Sequence, residues 1–62
     1  MDKKTAEVLF LMSEYVSDNG RWDQLCGFLE SKGISSQQMA DAINKAARTA
    51  GFTSNLTSED CE

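Results

Sequence analysis

The side chains with most chemistry to offer in this 62-residue chain are two cysteines, ten carboxylates and six bases, and there is no histidine. Without histidine the commonest general base is missing. The acids fall on helix faces that also carry serine, glutamine and lysine. An acid or base tuned for catalysis needs an apolar or like-charged setting that moves its pKa, and that pattern does not supply one. Cys26 shares a helical face with Trp22, Leu25 and Leu29, where a cysteine acts as a small buried hydrophobe. Cys61 sits at the penultimate position and is expected as an exposed thiol without a role. The two are far apart in the chain and do not read as a disulfide framework. Zinc sites use closely spaced Cys and His pairs, and none occurs. Asp18-Asn19-Gly20 hints at a calcium loop, but the EF-hand register would put Tyr15 at the first ligand and Cys26 at the twelfth. There is no glycine-rich phosphate loop. The expectation is a protein that is not an enzyme and holds no cofactor or metal.

These residues are carried on helices. Proline is absent, and three of the four glycines punctuate helical patterns: Gly20, Gly33 and Gly51. Apolar periodicity gives three helices at about residues 5–18, 21–32 and 35–50. In the first, Leu11, Tyr15, Val8, Met12, Val16 and Leu9 occupy an arc of roughly 160°, which is the expected core face. Phe10, with Ala6 beside it, lies roughly opposite. In the second, Trp22, Leu25, Cys26, Phe28 and Leu29 share a face. The third opens with Ser35 and Gln38 at capping-box spacing, with Ile34 and Met39 placed as a hydrophobic staple. Its face is Met39, Ala40, Ala42, Ile43, Ala46, Ala47 and Ala50. Alanines bury little area, but they let another backbone come close.

The fold expected is therefore all-α: a small three-helix domain over residues 1–56, followed by an acidic, flexible tail over 57–62. Phe52 and Leu56 are the tail-side residues expected to fold back on the core.

The run Gly33-Ile34-Ser35-Ser36-Gln37-Gln38-Met39-Ala40-Asp41-Ala42-Ile43 resembles the first helix of bacterial helix-turn-helix regulators. That resemblance implies DNA binding, with Lys45 and Arg48 as phosphate contacts. It covers about eleven residues. Where that family turns, usually at glycine, this chain continues through Asn44-Lys45-Ala46-Ala47-Arg48, which extends the helix.

The net charge is −4, which disfavours nucleic acid and anionic lipid as partners. The longest apolar run is five residues, Val8 to Met12, against about 20 for a membrane span. No export signal is read, so the location expected is cytoplasmic. Asn55-Leu56-Thr57 matches a glycosylation sequon, which would require export.

The function expected is that of a small regulator or adaptor docking a helical face on a protein partner or a second copy of itself, of the kind found among bacterial and phage accessory proteins. The alternative is a degenerate helix-turn-helix DNA-binding regulator. Phe10, Ala6 and Trp22 are the candidate partner-binding residues. Phe10 stands out as a large aromatic on the side away from the apolar arc, and Trp22 as an aromatic near a loop.

Overall fold

Asp2 starts the first helix. Its side chain accepts the Thr5 backbone N–H at 2.8 Å, so helix α1 runs Lys3–Asp18, two residues earlier than apolar periodicity alone suggests. The structure is a computed structural model, and it describes residues 1–61. Helix α2 spans Trp22–Ser31 and α3 spans Ser36–Ala50. Both halves of the capping box are made at the start of α3. The Gln38 N–H donates to Ser35 Oγ at 3.1 Å, and the Ser35 N–H donates to Gln38 Oε1 at 2.9 Å. The described residues form an all-α domain of three α-helices.

Each helix ends in the same way. The N–H of Arg21, Ile34 or Phe52 returns to the carbonyl five residues back, and the preceding glycine N–H to the carbonyl three residues back. These are Schellman closures, and they need a left-handed residue at Gly20, Gly33 and Gly51, where φ is +69°, +84° and +90°.

The core is built from small side chains. Ala6 of α1 packs with Ala46 and Ala50 of α3, and α1 against α3 is the most extensive helix contact. Among the described residues, Met39, Ala40, Ala47 and Cys26 are the other buried apolar residues, and no large side chain is fully buried. Ser13 is buried as well, its hydroxyl satisfied by donating to the Phe10 carbonyl at 2.6 Å.

This overturns the expected core face of α1. Val8, Leu9, Leu11, Met12 and Tyr15 are exposed, whereas Ala6 is fully buried, Ser13 is buried and Phe10 is half-buried. The physical reason lies on α3. A face of alanines is filled by a close backbone approach, which Ala6 and Ser13 allow and a row of Leu, Met and Tyr does not.

Residues 57–62, expected as a flexible acidic tail, contain one turn of 3-10 helix, Ser58–Cys61. Two side chains cap it. The Thr57 N–H donates to Asp60 Oδ2 at 2.7 Å and the Glu59 N–H to Thr57 Oγ1 at 3.3 Å. Cys61 is not a free thiol: it forms a disulfide with Cys26, with the Cα atoms 5.8 Å apart. Glu62, counted with the tail, lies outside the described residues.

Candidate protein-binding surface

The inward turn of Ala6 and Phe10 leaves the bulky side chains of α1 facing out. Val8, Leu11, Met12 and Tyr15 stand at i, i+3, i+4 and i+7 and form one stripe along the helix. Tyr15 is 71% exposed and Met12 is 60% exposed. Lys4 precedes the stripe by one turn and Asp18 follows it by three residues, on the same side of the helix. Lys4 Nζ lies 3.4 Å from Glu7 Oε1 at the rim.

The stripe does not stop at the edge of α1. Leu9, Met12 and Val16 also line a groove of about 320 Å³, whose other walls include Leu25 and Leu29 of α2, Ile34, and Met39 and Ile43 of α3. The groove exists because α1 makes much less contact with α2 than with α3. Its lining is almost entirely hydrocarbon. Ile34 is exposed at its end, and Phe28 is exposed on α2 under the Lys32 ammonium, 5.4 Å from the ring centre. Apolar surface therefore runs from Tyr15 around to Leu29.

A second concavity, of about 430 Å³, shares Ser13 and Ile43 with the groove and lies between Phe10, Trp22, Leu56 and the carboxylates of Glu14, Asp23 and Asp60. Trp22 is half-buried there, and its indole Nε1 is buried without a hydrogen-bond partner. Among the described residues no cluster of His, Cys, Asp or Glu is arranged to hold a metal ion, and no helix is long and apolar enough to cross a membrane.

Of the three residues singled out by sequence, the structure brings Phe10 and Trp22 together at the second concavity and buries Ala6 against α3. Phe10 also stacks on Phe52. None of the three lies on the exposed stripe. The residues that do lie there were visible in the sequence as a perfect amphipathic arc. Periodicity marks an apolar face without saying what covers it.

Lys45 and Arg48 are exposed on α3. Ser36–Ala50 is one unbroken helix closed by Gly51, and the element that follows is the 3-10 turn. The turn carries Glu59 and Asp60 and packs on α3.

Comparison with protein-family models, with curated proteins and with solved structures returns no match.

Proposed function

We propose that this chain is a non-enzymatic binding module, a small regulator or adaptor, that docks the outer face of α1 on a protein partner. The observation that supports this reading is the placement of bulky apolar side chains. Val8, Leu9, Leu11, Met12, Tyr15, Phe28 and Ile34 are exposed, while the interior is made chiefly of alanines. Single exposed apolar residues are ordinary, but a contiguous apolar stripe beside an apolar groove marks an interaction surface. A helical stripe with anchors at i, i+3, i+4 and i+7 is the form used in helix-mediated recognition.

The cysteine pair bears on where this binding takes place. Disulfides persist in oxidising compartments and are rare in the cytosol. In the cytoplasm, the location expected from the sequence, Cys26 and Cys61 would be held as neighbouring thiols.

The test uses two immobilised proteins, wild type and Met12→Asp, matched for helicity by circular dichroism. A partner that docks on the stripe is retained by the first and lost by the second, because a carboxylate in an apolar contact must be desolvated without compensation. Identical retention by both, second copies of the chain included, sinks the reading. A fluorescent DNA duplex titrated at low and high salt is run alongside. Affinity that collapses with salt would favour the helix-turn-helix alternative.

A further inference from the structure

We propose that the occupant of the α1 stripe is a second copy of this chain, packed so that the two α1 helices run antiparallel about a two-fold axis passing close to Leu11 and Met12. The proposal rests on the docking reading above and names its partner.

The first argument is surface area. A monomeric protein of 6.8 kDa exposes about 4,000 Å² by the usual scaling, and this chain exposes 4,341 Å². A domain of this size has little core to spare, and among the described residues no large side chain is fully buried. The apolar area missing from its interior is present on its outside, along α1 and into the groove beside it. An isologous contact covers that area twice with one set of residues. Specific interfaces cover roughly 600–1,000 Å² on each partner, and the stripe is continuous with the groove through Met12 and Val16.

The second argument is self-complementarity. The stripe follows the heptad-like spacing of a helix seam: Val8, Leu11 and Tyr15, with Lys4 and Asp18 continuing it at either end. A two-fold axis near Leu11 and Met12 sets Val8 of one copy beside the other copy's Tyr15, and Leu11 beside Met12. The same axis brings Lys4 to the end of the partner helix that carries Asp18, joining opposite charges at both ends of the seam. A parallel arrangement would place Lys4 on Lys4 and Asp18 on Asp18. Charge therefore selects the antiparallel arrangement, as seam-flanking charges do in coiled coils. Lys4 is well placed for this role, being highly exposed beyond its contact with Glu7.

The experiment is sedimentation equilibrium over micromolar to millimolar concentration on the intact, disulfide-bonded chain, with non-reducing mass spectrometry to confirm that no copies are covalently linked. Three proteins are compared: wild type, Leu11→Asp and Lys4→Glu. Circular dichroism melts confirm that each stays helical, which is expected because both side chains are exposed. Wild type should rise from 6.8 kDa toward twice that mass. Leu11→Asp should remain at the monomer mass throughout. Lys4→Glu should dimerise about tenfold more weakly, by turning an attractive contact at each end of the seam into a repulsive one.

A wild type that stays monomeric overturns the second-copy proposal. So does a Leu11→Asp variant that dimerises as wild type does, and Lys4→Glu dimerising unchanged overturns the antiparallel arrangement. A monomeric wild type that still captures a different protein, lost in Met12→Asp, overturns this proposal and leaves the docking reading standing. If neither self-association nor stripe-dependent capture occurs, both fail.

Discussion

Phe10 and Phe52 stack with their ring centroids 4.8 Å apart and their planes 21° from parallel. The contact joins the middle of α1 to the residue that closes the Schellman motif of α3, so it fixes both the rotation of α1 and the path of the chain leaving α3. Truncating either ring removes the contact. Phe10→Ala should destabilise the fold by about 2–3 kcal/mol, less than for a fully enclosed phenylalanine because both rings retain some exposure. A double-mutant cycle with Phe52→Ala should return a coupling of about 0.5–1.5 kcal/mol in urea unfolding. Strict additivity would mean that the stack does not set the rotation of α1.

The Cys26–Cys61 disulfide closes a loop with a sequence separation of 35. Loop-closure entropy for that length corresponds to about 3–4 kcal/mol of stability. Cys61→Ser should lower the melting temperature by an amount matching dithiothreitol treatment of wild type, and dithiothreitol should then have no further effect on the variant. An unchanged melt under reduction would show that the disulfide contributes nothing to holding the three helices together.

Asn44 clamps the segment between α3 and the turn. Its Nδ2 donates to the Leu56 carbonyl at 2.8 Å, and its Oδ1 accepts from the Leu56 N–H at 2.9 Å and the Ser54 hydroxyl at 2.7 Å. Asn44→Ala removes all three bonds and should cost about 1–3 kcal/mol. Amide exchange at Leu56 should accelerate in the variant while exchange in the middle of α3 does not. Equal protection of Leu56 in both proteins would rule the clamp out.

The sequence made some of this legible and hid the rest, for reasons that differ residue by residue. Ser35, Gln38 and Gly51 act within a few residues of themselves, so the start and end of α3 could be read directly. The small-residue face of α3 also signalled close approach by another helix, and α1 supplies it. Ala6 could not be read as core, because its value comes from being small opposite Ala46 and Ala50, and Ser13 carries a hydroxyl that gives no apolar signal although it is buried. No periodicity of α1 alone reveals that. Asn44 looked like any polar residue on a helix, since its partners lie 10 and 12 positions away. The disulfide was hidden because pairing depends on where the tail runs, and Asn44 directs the tail.

Asp2 gives the fold a local response to acid. Side-chain and backbone hydrogen bonding with Thr5 holds its carboxyl below the ordinary aspartate value. A carboxyl whose folded pKa is lowered stabilises the fold above its unfolded pKa, and that contribution is lost as pH falls through the lowered folded value. The first turn of α1 should therefore loosen only in that acidic window. The Thr5 amide resonance should titrate with a midpoint below that of an unstructured aspartate. Asp2→Asn should abolish the titration and leave the helix in place, because asparagine also caps. A Thr5 midpoint at the unstructured value would mean that the cap is not formed in solution.

The outward placement of the α1 stripe is tested most directly by the oxidation rates of two methionines. Met12 is 60% exposed on the stripe, and Met39, on α3 at the wall of the adjoining groove, is 4% exposed. Methionine oxidation by peroxide follows access to the sulfur. In dilute solution Met12 should oxidise at close to the rate of the exposed Met1 while Met39 lags far behind. As the protein is concentrated, Met12 should slow relative to Met1 as its sulfur becomes covered. If Met39 instead reacts as fast as Met12, or Met12 is protected even at the greatest dilution, then α1 is rotated with its bulky face inward and the docking surface does not exist.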